Sequence, residues 1–209
     1  MARPRQVLLT RERIVEAAAA LVDTEGLDAV SVRRLATELG VAGPSLYNHF
    51  GTKAEILEAV ADTVIAQVDT SSFKTHEWGK ALRLWAQSYH AVLSEHPNIV
   101  PVLARGPGRN PAALAMADAV YGALIRAGWT PSRATHIGAL LRYLVTGSAL
   151  GSFALGFPED PELYQHYPHL HHAHHLAEHR ERVDEGAFVL GLETLVSGLE
   201  SQLQSEAER

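Results

Sequence analysis

Residues 31–53, SVRRLATELGVAGPSLYNHFGTK, read as two short helices around a tight turn. Ser31 is a suitable N-cap. Val32, Leu35, Ala36 and Leu39 follow at 3- and 4-residue spacing, the stripe of a helix with one buried face. Gly40 stands where the first helix must stop, because glycine takes the left-handed conformation that ends a helix, and Val41 is the apolar residue that tucks the turn inward. Pro44 suits the first turn of the next helix, where its missing N–H costs nothing. That second helix, expected over 44–50, is too short to be stable alone. It should bury Leu46 and Phe50 and leave Ser45, Tyr47, Asn48 and His49 at the open face. A short helix held against another and presenting small polar and aromatic groups is the recognition element of a helix-turn-helix, shaped for the DNA major groove.

A preceding helix completes the motif. In TRERIVEAAAALVDTEGLDAVSV, residues 10–32, Thr10 is the start and Ile14, Ala18, Leu21 and Val22 form one face before Gly26 and Leu27 turn the chain. Residues 40–57, GVAGPSLYNHFGTKAEIL, are similar to the recognition-helix signature of the tetracycline-repressor (TetR) family of bacterial transcription regulators. With the upstream helix, residues 8–65 resemble that family's DNA-binding domain without a gap.

Composition agrees with a soluble globular protein: 46% hydrophobic and 20% charged residues over 209 positions. No apolar run is long enough to span a bilayer and no signal or lipidation motif is seen, so no membrane partner and a cytoplasmic location are expected. The absence of cysteine excludes disulfides, thiol catalysis and thiolate metal sites. The net charge of −6 divides unevenly: residues 1–53 carry seven Arg/Lys against six Asp/Glu, the remainder eleven against eighteen. Arg3, Arg5, Arg11 and Arg13 form either an N-terminal arm suited to phosphates or a minor groove, or a solvated tail.

The rest reads as helix, with further segments expected near 53–70, 76–95, 98–104, 111–128, 131–156 and 185–204 and no strand signal. The fold class is therefore all-α. An N-terminal three-helix helix-turn-helix domain (1–53) is followed by a connecting helix and loop (54–75) and a helical ligand-binding and dimerisation domain (76–209).

In GAFVLGLETLVSGLESQLQ, residues 186–204, Val189, Leu192, Val196, Leu199 and Leu203 alternate 3- and 4-residue steps, a narrow seam like that of a coiled coil. By pattern alone it serves a single-chain core equally well. This helix and PSRATHIGALLRYLVTGSALGSFAL, residues 131–155, resemble the two helices with which the family pairs into a homodimer. Gly138, Gly147, Ser148, Gly151, Gly191 and Gly198 would allow close approach. Dimerisation would set two recognition helices about 34–36 Å apart, the spacing of a palindromic operator.

Trp85 and Tyr89 at four-residue spacing, with Leu103, Val120 and Tyr121 on later helices, are a core pattern on residues alone. The resemblance implies that this layer encloses a small-molecule effector, with Trp85 and Tyr89 on drug-touching positions. His90, Arg105, His136 and Arg142 are candidates for its polar groups. The family's tetracycline-binding members hold a magnesium–drug chelate with two histidines and a glutamate. Asp69, Leu103 and Gly151 stand at the resembling positions, and leucine and glycine offer no donor, so a hydrophobic or aromatic effector other than tetracycline is expected.

Residues 166–179, HYPHLHHAHHLAEH, hold seven of the twelve histidines. In a helix His171/His175 and His175/His179 would each share a face that suits zinc, making a metal sensor on the same scaffold an alternative; a solvated loop or part of the ligand entrance is the other reading. A helical enzyme is the remaining rival, but no nucleophile elbow, phosphate loop or His-Glu-x-x-His motif is present. No metal site and no cofactor are expected. For the DNA-reading head the resemblance implies phosphate contacts at Ser31, Tyr47, His49 and Lys53, and base-edge readers at Arg33, Gly43, Pro44, Ser45 and Asn48. Gly43 departs from the family's founding member, which has a long amide there, so a different operator is expected.

Overall fold

The computed structural model describes residues 8–106 and 109–208. Its ten α-helices are α1 (Arg11–Glu25), α2 (Val32–Leu39), α3 (Gly43–Tyr47), α4 (Lys53–Ile65), α5 (Ser72–Thr75), α6 (Trp78–Glu95), α7 (Val100–Leu103), α8 (Pro111–Arg126), α9 (Pro131–Ala149) and α10 (Arg180–Ala207). No strand occurs among the described residues, and no helix there is long and apolar enough to cross a membrane. The chain forms two compact units: residues through Gln67 with Glu95–Leu114, and Val68–Ser94 with Ala115 onward.

In the first unit, local caps fix each helix. Thr10 Oγ1 accepts the Arg13 N–H (3.3 Å) and Ser31 Oγ accepts that of Arg34 (3.1 Å), each satisfying a donor left over at a helix start. Thr52 Oγ1 caps α4 by accepting the Glu55 N–H at 3.2 Å, while the Glu55 carboxylate reaches back to accept the N–H of Gly51, the residue before the cap, at 2.9 Å. Gly40 is left-handed (φ 66°), and the Val41 N–H reaches back to the Ala36 carbonyl at 3.0 Å, closing a Schellman motif. The core joins Ile14, Ala18 and Val22 of α1 to Leu35 of α2, Leu46 of α3 and Ile56 and Val60 of α4. The 95–114 segment is fastened to the same unit. Asn98 Nδ2 donates to the carbonyls of Val22 (2.9 Å) and Asp23 (3.2 Å), and Asp62 Oδ1 accepts the Ala112 N–H of α8's first turn at 2.8 Å.

In the second unit, Leu82, Trp85, Ala86, Tyr89 and Leu93 of α6 are buried, as are Ile137, Leu141 and Val145 of α9 and Phe188, Leu192 and Val196 of α10. Arg83 binds α6 to α10 by donating to Glu193 (2.9 Å), Glu200 (2.9 and 3.2 Å) and Ser197 (3.2 Å). That bond holds the Glu200 carboxyl below its ordinary pKa against the opposing effect of burial.

Several helix ends differ from expectation. The helix expected over 44–50 stops at Tyr47, because the His49 and Phe50 N–H groups both turn back to the Leu46 carbonyl at 3.0 Å. The one expected over 53–70 stops at Ile65; Asp69 Oδ1 accepts the Ser71 N–H (2.8 Å) and turns the chain into α5, which the sequence reading missed. The helix expected over 131–156 ends at Ala149, and the Phe153 N–H donates to Asp184 at 3.0 Å instead of continuing a helix. The helix expected over 185–204 extends to Arg180–Ala207.

Candidate functional site

Leu46 and Phe50 are buried and anchor the α2–turn–α3 element to the core. Arg33, Pro44, Asn48 and Lys53 are exposed, and Tyr47 is 57% exposed although aromatic. Gly43, Ser45 and His49 are half-buried. Ser31 is exposed, its oxygen engaged as the N-cap of α2. A Cβ built at Gly43 would sit 4.0 Å from Val32 Cγ1, so the backbone leaves room for a side chain there.

Arg11 and Arg13, read as part of an arm, lie instead in α1. Arg11 Nη1 donates to the His49 carbonyl (2.8 Å), and its guanidinium stacks 3.8 Å from the Phe50 ring centroid, steadying the end of the reading head. Arg13 donates to the Leu8 carbonyl at 3.0 Å. Arg3 and Arg5 lie outside the described residues. Arg33 and Arg34 of α2 are both exposed, but Arg34 is committed to Glu25 through two bonds of 2.9 and 3.1 Å.

In the second unit, Trp85 and Tyr89 are buried and form an aromatic row with Phe73, with centroids 6.1 Å (Phe73–Trp85) and 5.8 Å (Trp85–Tyr89) apart. Phe73 was not singled out from the sequence, since its contact with Trp85 depends on the unforeseen helix α5. The Trp85 indole N–H is buried without a hydrogen-bond partner among the described residues. Burial pushes the Tyr89 phenol pKa up, and Arg142, hydrogen-bonded to it, pulls the other way. Val120 is buried, and Tyr121 is half-buried with its ring over Gly138, where a side chain would collide with it. Leu103 is buried and belongs to the first unit. His90 stacks on Phe188 with centroids 3.9 Å apart, while His136 and Arg105 are exposed.

The seam on α10 is mostly buried within the single chain. Leu192, Val196 and Leu199 are only 1%, 0% and 8% exposed in a single chain; Leu203 is half-buried and Val189 exposed. The three buried side chains are therefore part of the chain's own core. Gly191 is likewise met by Leu144 of α9 and Gly138 by Tyr121, whereas Gly147, Gly151 and Gly198 have open space beside them. The apolar residues left outward include Leu140 and Tyr143 of α9, Leu150 just past its end, and Val189 and Leu190 of α10, with Tyr143 and Leu190 70% and 69% exposed.

The donor set for a magnesium chelate is missing. Both Asp69 carboxylate oxygens accept from Ser71, at 2.8 and 3.1 Å; Gly151 is exposed with no side chain, and Leu103 is apolar. In the histidine-rich segment, short 3-10 turns at Ala173–His175 and Ala177–His179 replace the α-helix that zinc pairing requires. His171 Nδ1 is 2.7 Å from the Pro168 carbonyl and His175 Nδ1 3.3 Å from Glu178. Among the described residues no group of three or more His, Asp or Glu side chains is placed to hold a metal ion.

A capped helix-turn-helix joined to a second helical unit with a buried aromatic row defines a DNA-binding regulator. The family model for bacterial regulatory proteins of the TetR family matches residues 14–60, and that for the tetracycline repressor-like C-terminal domain matches 73–203. The chain belongs to the TetR family: it is a ligand-responsive, DNA-binding transcriptional regulator and not an enzyme. It is 30% identical over 172 residues to an HTH-type transcriptional regulator of Saccharopolyspora erythraea, covering 82% of this chain and 69% of that protein. It is 26% identical over 200 residues to the class E tetracycline repressor of Escherichia coli, covering 95% and 94%. Among solved structures it resembles apo ActR from Streptomyces coelicolor, with a TM-score of 0.79 and 25% identity over 99% of this chain and 100% of that one. ActR in complex with actinorhodin gives 0.77 and 27% over 94% and 99%.

Proposed function

We propose that the chain acts in the cytoplasm as a homodimeric repressor, held on a palindromic operator and released by a small, largely apolar and aromatic effector. The observation that carries this reading is the outward set Arg33, Tyr47, Asn48 and Lys53 on a scaffold whose apolar anchors, Leu46 and Phe50, are buried. Lys53, Tyr47, His49 and the Ser31 hydroxyl, which still has a proton to donate, set register on phosphates. Arg33, Ser45 and Asn48 offer groups to base edges, while Gly43 and Pro44 allow close backbone approach.

Pairing uses the outward faces of α9 and α10, with Leu140, Tyr143 and Leu190 as apolar contacts and the open sides of Gly147 and Gly198 as points of close approach. The effector lies against Trp85, Tyr89, Val120 and Tyr121, and the unpartnered Trp85 N–H donates to an acceptor on it. The relative solved with actinorhodin supports an effector of this kind. Release requires the effector to bind the DNA-incompetent conformation more tightly; equal affinity for both would shift nothing.

The test is selection of duplex fragments from a random pool by the purified protein. A recovered palindrome with half-sites one helical turn apart supports the reading. Fragments with no common sequence, or a single half-site bound by a monomer, overturn it.

A further inference from the structure

The first unit contains a half-open cavity of about 530 Å³, within the size range of small-molecule sites, and Phe73, Trp85 and Tyr89 are not among its lining residues. Its apolar walls include Leu27, Leu57 and Ala61 on one side and Val102 and Leu103 on the other. Lys53, Arg105, Asp28 and Glu58 also line it, and none of the four forms an ion pair among the described residues. Two cations and two carboxylates that form no ion pair among the described residues, around an apolar interior, suit a molecule that is flat and apolar in the middle and polar at its edge.

We propose that this cavity is a second ligand site, for an aromatic acid that also carries a hydroxyl or N–H donor. The ring system fills the space between Leu57 and Leu103, the acid group meets Lys53 and Arg105, and the donor meets Asp28 or Glu58. Lys53 also stands at the DNA-reading surface, so one ammonium serves either the acid or a DNA phosphate. Ligand and DNA are then mutually exclusive, and each weakens the other's binding by the same factor. That exclusion rests on the phosphate role proposed for Lys53; the cavity site does not.

The chain has no cysteine, so Leu57→Cys places a unique thiol in the cavity wall. Its alkylation by a maleimide reports occupancy, with 8-anilinonaphthalene-1-sulfonate as the probe and Ser201→Cys on exposed α10 as the control. The probe should slow alkylation of Leu57→Cys at least fivefold and leave Ser201→Cys unchanged. N-phenyl-1-naphthylamine, the same ring system without the sulfonate, should protect at least threefold less, and Arg105→Ala should remove most of the sulfonate's advantage. Trp85→Ala, which opens the effector row, should leave protection intact. No protection, equal protection at Ser201→Cys, or protection lost with Trp85→Ala overturns the second site. Equal protection by the two compounds overturns its preference for an acid. Saturating non-specific duplex at low salt should restore the alkylation rate; persistent protection overturns the competition through Lys53 while the site stands.

Discussion

Helices α3 and α10 are opposites in how they divide their residues. Helix α3 has five residues and contributes one fully buried side chain, Leu46; what it leaves outside is polar or amphipathic, as at Tyr47 and the adjoining Asn48. Helix α10 has 28 residues and apolar groups on two faces, with Leu192 and Val196 inward and Val189 and Leu190 outward. An outward polar face on a short helix held rigidly by its neighbours suits hydrated, charged DNA. An outward apolar stripe on a long helix remains unsatisfied until another apolar surface covers it. Burial in the single chain, more than apolar spacing, separates the two kinds of surface.

Adjacent residues on α10 offer the largest break in that comparison. Leu192→Glu buries a carboxylate without a partner and should abolish cooperative folding. Leu190→Glu with Tyr143→Glu should leave the fold intact, convert the dimer to monomer, and reduce operator affinity more than a hundredfold. Circular dichroism and light scattering separate these outcomes. A dimer that survives the Leu190/Tyr143 pair moves the interface elsewhere; a folded Leu192→Glu monomer restores the seam as the interface.

Helix α3 gives the next contrast. Leu46→Ala should destabilise the protein by about 2–5 kcal/mol in denaturant titrations, as a large buried side chain truncated in a core does. Asn48→Ala, two residues away and exposed, should leave stability unchanged and weaken preference at particular base pairs by about 1–3 kcal/mol. Lys53→Ala should lower affinity similarly for all sequences and reduce the slope of log affinity against log salt by about one unit. An unchanged slope removes Lys53 from the phosphate contacts.

What the sequence disclosed follows the same division. The reading head is local: Ser31 caps α2, Gly40 ends it, and Leu46 and Phe50 are buried as their spacing implied. Beyond the reading head, decisive contacts join distant residues. The Arg83–Glu200 bond spans 117 positions, and no periodicity in α6 announces it. The α10 spacing correctly marks an apolar stripe but is silent on whether the opposing helix comes from the same chain. Arg11 illustrates the converse: as an N-terminal arginine it suggests an arm, and only the packed structure shows it over Phe50.

The aromatic row provides a smaller, more selective effect. Trp85→Phe keeps a ring beside Tyr89 and removes the unpartnered indole N–H. Stability should hold or rise slightly, because a buried donor without an acceptor costs about 1–3 kcal/mol, whereas the affinity of an acceptor-bearing effector should fall about tenfold. Magnesium–tetracycline should neither raise the melting temperature nor release DNA, since Asp69 is occupied by Ser71 and neither Leu103 nor Gly151 supplies a donor. Micromolar binding of the chelate would overturn this assignment, and an unchanged effector affinity in Trp85→Phe would remove the N–H from the site.

The smallest expected effect concerns His90, whose ring lies stacked on Phe188. Burial lowers its pKa below the ordinary 6.5, with Glu185 opposing the shift. A histidine depressed in the folded state binds fewer protons there than in the unfolded chain. Its contribution to stability is therefore complete above pH 6.5 and is lost as the pH falls from 6.5 through the folded-state value. His90→Phe preserves an aromatic stack and cannot titrate. The melting temperature of the variant minus that of the wild type should be constant above neutral pH and rise by about 1–3 °C between pH 6.5 and 5, modest because the imidazole remains partly hydrated. The other histidines and all the carboxylates are common to both proteins and largely cancel in the difference. A gap that stays flat across that range would show that His90 titrates alike in folded and unfolded chains; one that narrows on acidification would show that its protonated form is stabilised by Glu185.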